Sequence, residues 1–163
     1  ASNGLVLFKR LDLRNEHMIN KLQFSIDIKA DKTKIWNALW SDQNYRDWAG
    51  VFFEGSYMVA ENWEVGSKVL FLAPDKSGIY SIIESYIPNE SIQFKHIGNV
   101  IDGKQQPIDA ESKKWTGATE TYTIIEEANL NTLTVDIDVM DEHLDFMKSK
   151  IPSALERVKS NCN

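Results

Sequence analysis

The sequence predicts an α+β domain in which a curved antiparallel sheet wraps one long C-terminal helix. Three observations carry this prediction. An alternating strand, Leu22 to Ile28, runs straight into a capped helix at Asp31 to Trp40. A short second helix is followed by a train of six strand-like segments, and the chain closes on a single amphipathic stripe. Elements in this order wrap a sheet around a helix and leave a cavity between them.

The first strand places Phe24, Ile26 and Ile28 on one parity and Gln23, Ser25 and Asp27 on the other, as a sheet with one buried face requires. Asp31 then reads as an N-cap accepting from the amide of Thr33 or Lys34, and Ile35 with Leu39 forms the apolar pair of a helix lying on a core. Ser41 or Asp42 caps again, so a second helix spans Gln43 to about Ala49, with Gly50 as its stop. Strands follow at Ser56 to Glu61, Gly66 to Ala73, Gly78 to Ile87 and Ser91 to His96, the last two separated by a Pro88-Asn89 turn. Ile79 to Ile87 is apolar on both parities, so its inner face is not assigned. Glu120, Tyr122 and Ile124 alternate with threonines, and Leu133, Val135, Ile137 and Val139 alternate with polar residues across a turn near 128–131. The final helix begins at Asp141 with the stripe Leu144, Met147, Ile151, Leu155 and Val158, and Pro152 inside it predicts a kink near Lys148.

Composition narrows the function classes. A chain of 163 residues with 42% hydrophobic residues supports one buried core and one domain. The net charge is −6 and no run of Lys or Arg is dense enough to track a phosphate backbone, so no nucleic-acid partner is expected. Cys162 is the single cysteine, which excludes an intramolecular disulfide and a thiolate metal site. No apolar stretch approaches the ~20 residues of a spanning helix, and Leu5 to Phe8 is too short for the core of a signal peptide. The expectation is a soluble, cytoplasmic protein without a membrane span. Residues 1–17 show no sustained period and read as an N-terminal extension, whether an extra edge strand, a remnant of processing or an ordered arm; the domain proper spans 18–163.

The element order resembles the helix-grip fold of the START-like, or SRPBCC, superfamily. The segments Ile28 to Trp36, Trp63 to Lys68, Ser91 to Gly98, Lys114 to Gly117 and Glu120 to Ile124 are similar to those of the bacterial family named after the activator of the heat-shock-protein ATPase (AHSA-type), over residues 18–160. The resemblance implies a cavity for lipids, hormones, polyketides or other apolar molecules, in which some superfamily members catalyse cyclisation or hydrolysis. The co-chaperone that named the family uses an additional N-terminal domain, which this chain is too short to contain, so a chaperone partner is not the expectation. A homodimer is compatible with the sequence.

The candidate chemistry lies on the strands flanking the long segment Ile97 to Ala118. If Ile92 stands opposite Ile124 and Phe94 opposite Tyr122, His96 faces Glu120 and all point inward. Such a pair could act as acid and base on a bound ligand, with Tyr80 or Tyr122 orienting it, or could simply pin the loop by satisfying buried polar groups. The expected pocket wall comprises Trp48, Phe52, Trp63, Phe71, Tyr80, Phe94, His96, Trp115, Glu120, Tyr122, Met147 and Ile151, while Trp36 and Trp40 are assigned to core packing. His17 and His143 have no spaced partners and are expected in solvent, so no metal site is expected. No nucleophile elbow, phosphate loop or dinucleotide fingerprint occurs, so no cofactor is expected. Ile97 to Ala118, mostly polar, reads as a cover over the pocket, anchored by Trp115. The functional expectation is a binder of a small hydrophobic or amphipathic molecule, with an enzyme using His96 and Glu120, or a protein-interaction module with a filled core, as alternatives.

Overall fold

The computed structural model describes residues 6–11 and 18–163, with side chains from Ile19 onward. Its strands are β1 (Val6–Leu11), β2 (Met18–Ile28), β3 (Tyr57–Ala60), β4 (Lys68–Leu72), β5 (Gly78–Ile87), β6 (Ser91–Ile101), β7 (Lys104–Gln105), β8 (Thr119–Glu127) and β9 (Leu130–Met140). The helices are α1 (Lys32–Trp40), α2 (Asp42–Ala49) and α3 (Leu144–Ser160). All pairings are antiparallel, in the order β1-β2-β9-β8-β6-β5-β4-β3, with the short β7 folded back on the end of β6. This is the helix-grip architecture, with α3 across one face of the sheet.

The helix starts form as their caps dictate. The Asp31 carboxylate accepts from the Lys34 amide at 2.7 Å, and the Ser41 hydroxyl accepts from the Asn44 amide at 3.4 Å. Ile35 and Leu39 are fully buried beneath α1. The β2–β9 pair shows both faces of the alternation. Leu22, Phe24 and Ile28 pack on the core with Leu133, Val135 and Ile137, while Lys21, Gln23, Ser25 and Asp27 face outward and bond Asp138, Asp136, Thr134 and Thr132 across the strand. The extension contributes β1, an edge strand on β2, and the final helix runs on through Pro152 after a single 3-10 turn at Asp141–His143.

Two register irregularities explain why β5 had no legible inner face. Ile79, Ser81 and Ile83 lie on the core side, but a break in pairing between Ile83 and Ser85 leaves Glu84 extra and turns Tyr86 inward, where it stacks on Trp36. A second break makes Ile97 the extra residue of β6. Strict alternation of burial is therefore lost on β5, while β6 keeps it through Val100.

The segment Ile97 to Ala118 is also more regular than expected. Its first residues continue β6 to Ile101, and Asp102 and Gly103, both with positive φ (51° and 76°), turn the chain into β7. A 3-10 turn at Ser112–Lys114 is held by reciprocal bonds between Asp109 and Ser112. None of residues 97–118 borders the cavity between sheet and α3, so this segment is a structured end of the sheet and not a cover.

Candidate functional site

Between the core face of the sheet and α3 lies a cavity of about 350 Å³. The sheet contributes Phe71, Ile79, Val135 and Ile137; α1 and α2 contribute Leu39, Tyr45, Trp48 and Ala49; α3 contributes Phe146, Met147, Ile151, Ala154, Leu155 and Val158. Phe52, Phe53 and Ser56, on the loop after α2, complete the wall. Phe53 and Phe146 are 68% and 42% exposed, which puts the mouth between that loop and the start of α3. A second depression shares Tyr45, Phe53, Ser56 and Phe71 with the cavity and leads out toward the β4–β5 turn.

Most of the polar groups of this largely apolar wall belong to one connected chain. The Ser81 hydroxyl lies 2.6 Å from His96 Nδ1, His96 Nε2 lies 3.2 Å from Glu120 Oε1, and the Tyr122 hydroxyl donates to Glu120 Oε2. The pairing differs from the expected register by two residues: Ile92 stands opposite Tyr122 and Phe94 opposite Glu120. His96 instead pairs its backbone with Ala118 and Gly117, both at 2.8 Å. Gly117, at φ 95°, makes the return of the loop tight enough for this closing pair. A shift of two keeps every side chain on its own face, so His96 and Glu120 still meet, diagonally.

Burial alone would raise the Glu120 pKa, but the hydrogen bond and charge of His96, together with the Tyr122 hydroxyl, hold it below the ordinary value. Tyr122 is pushed the other way, first by burial and then by the Glu120 charge, and Tyr45 rises for the same two reasons. A carboxylate kept ionised and two phenols kept neutral thus share one patch of the wall. Ser81 is fully buried behind His96, while the Glu120 side chain keeps 21% exposure. The serine therefore has no approach to a substrate and the carboxylate does, the reverse of a hydrolase triad.

Of the residues predicted for the pocket, Trp48, Phe52, Phe71, His96, Glu120, Tyr122, Met147 and Ile151 line the cavity. Trp63, Tyr80, Phe94 and Trp115 do not. Trp63 packs on Trp40 and Tyr86, and Phe94 is fully buried between Trp40 and Phe71. Tyr80 lies on the face opposite Ile79, its ring covering Gly98, where a Cβ would come within 2.8 Å of it. Trp115 is half-buried beside the 3-10 turn. Tyr45 was missed as a site residue, although its place on α2 one turn before Trp48 puts both on one face. Trp36 and Trp40 are core, as expected. His143 is exposed beside Glu142, and His17 lies outside the described residues. The buried Cys162 thiol donates to the Val158 carbonyl, and burial raises its pKa.

Among the described residues no cluster of three metal-ligating side chains occurs, and no helix is long and apolar enough to cross a membrane. No protein-family model matches the chain, and no curated protein does. Solved structures do. The Aha1 dimer from Colwellia psychrerythraea is 21% identical, with a TM-score of 0.59 over 85% of this chain and 92% of that one. Protein Ms6760 from Mycobacterium smegmatis is 14% identical, with a TM-score of 0.56 over 97% and 94%. DynU16, from the dynemicin biosynthetic locus, is 13% identical, with a TM-score of 0.58 over 86% of this chain and 46% of its own. At these identities the likeness is one of fold, and the chain shares the helix-grip α+β fold of the Aha1-like proteins.

Proposed function

We propose that the protein binds a small hydrophobic or amphipathic molecule in the cavity beneath α3. The observation that carries this reading is the wall itself: aromatic and aliphatic side chains around about 350 Å³, interrupted by His96, Glu120, Tyr122 and Tyr45 and, near the mouth, by Ser56. The fold shared with the Aha1-like proteins agrees with membership of the START-like superfamily and its AHSA-type branch. A void of this size also weighs against an interaction module with a filled core. Native mass spectrometry of the purified protein, followed by extraction, tests the proposal. A stoichiometric apolar companion supports it; an empty protein that also ignores a panel of hydrophobic probes overturns it.

The acid–base reading stands second, supported by the approach of His96 to Glu120 at 3.2 Å on the cavity wall. It separates from pure binding by turnover: in an enzyme, Glu120→Gln removes product formation while ligand still binds. Because the Colwellia relative is a dimer, a homodimer is part of the proposal, and sedimentation velocity checks it.

A further inference from the structure

We infer, on the footing of that binding role, that the cavity selects ligands whose polar end donates hydrogen bonds, an alcohol, phenol or ammonium group, and rejects carboxylates, with Glu120 as the accepting group. The donor inventory of the wall leads there. The Trp48 indole donates to the Leu39 carbonyl at 2.8 Å, the Ser56 hydroxyl to the Phe53 carbonyl at 2.6 Å, and the Tyr122 hydroxyl to Glu120. Both ring nitrogens of His96 are engaged, one by Ser81 and one by Glu120. Among the described residues no lysine or arginine lines the cavity. The Tyr45 hydroxyl is the one polar group of the wall without a hydrogen bond among the described residues.

Acceptor capacity is the opposite case. A carboxylate has about four lone-pair sites, and His96 and Tyr122 occupy one on each Glu120 oxygen. The remainder belong to a group that lines the cavity and is ionised at neutral pH. A ligand carboxylate would therefore meet the Glu120 charge with only the Tyr45 hydroxyl to solvate it, because both ring nitrogens of His96 are already turned to Ser81 and Glu120, an arrangement that burial in an apolar wall makes costly. A donating head group meets an under-used acceptor, and the Tyr45 hydroxyl, near enough to feel the Glu120 charge, lies on the same wall.

The test is isothermal titration of the protein with naphthol, naphthylmethylamine, naphthoate and methylnaphthalene, four probes of one shape and different head groups. Naphthol and naphthylmethylamine are expected to bind at least ~tenfold more tightly than naphthoate, a ratio worth about 1.4 kcal/mol. In Glu120→Gln, whose amide keeps the shape and removes the charge, naphthoate gains affinity and naphthylmethylamine loses it. Retained methylnaphthalene binding shows that the variant's cavity is intact, and Tyr45→Phe, which keeps Glu120, preserves the rejection of naphthoate. Naphthoate binding as tightly as the donors, or methylnaphthalene binding as tightly as naphthol, overturns the inference and leaves the binding role standing. A preference unchanged in Glu120→Gln also overturns it. Failure of all four probes to bind overturns both.

Discussion

Glu120 is the residue on which the site's electrostatics turn, and its pKa makes a prediction about stability. Burial opposes ionisation, yet His96 and Tyr122 bring the folded-state value below the usual carboxylate range. A depressed folded pKa contributes stability that is present above the unfolded value, about 4.3 for a glutamate, and is lost as pH falls through the folded value. The melting temperature of the wild type should fall through that acid window, and Glu120→Gln should lack that part of the fall; parallel curves would contradict the assigned network. Ser81 tests the same chain from behind. Ser81→Ala leaves His96 Nδ1 buried without its 2.6 Å partner and should cost about 1–3 kcal/mol in urea unfolding. The meeting of His96 with Glu120 was legible because parity survives a register shift of two. The Ser81 bond was not, because it depends on which parity of β5 faces inward.

At the scale of elements, the β4–β5 turn and the α2–α3 contact are the supports of the mouth. Gly78 pairs with Leu72, and a Cβ there would come within 1.8 Å of the Phe71 carbonyl oxygen. The obstacle is backbone, so Gly78→Ala should destabilise by about 2–3 kcal/mol, as overpacking does, and chemical denaturation measures it. Asp47 on α2 accepts from Arg157 on α3 and from Asn161 at that helix's C-cap, which places its carboxyl below the ordinary range, chiefly through the Arg157 bond. The pair is largely exposed, so Asp47→Ala should lower the melting temperature slightly, by an amount that high salt erases. Caps, periods and turn residues made the helices and outer strands legible. The bulges at Glu84 and Ile97, and the extension of β6 to Ile101, come from cross-strand pairing and leave no local signature.

For the whole molecule, the void is the property that the proposed binding role needs and close packing opposes. Ala154 is 2% exposed in the structure and lines the cavity from α3. Filling it with Ala154→Leu should maintain or raise the melting temperature while weakening apolar probe binding by ~tenfold or more; unchanged affinity would place the ligand elsewhere. The sequence by itself determined the α+β class, the order of elements, the helix caps and the aromatic and aliphatic residues available for a wall, because these follow from period and local chemistry. Tertiary structure decided which of them form it. Phe94 went to the core and Tyr80 to the outer face over Gly98 because a strand's face and register are set by its partner strands and by bulges, whereas Trp63, on the β3–β4 loop, and Tyr45, on α2, took their places from how those elements pack on the sheet. The cavity itself arises only where α3 crosses the sheet, so its size and its mouth at Phe53 and Phe146 belong to the packing of distant elements.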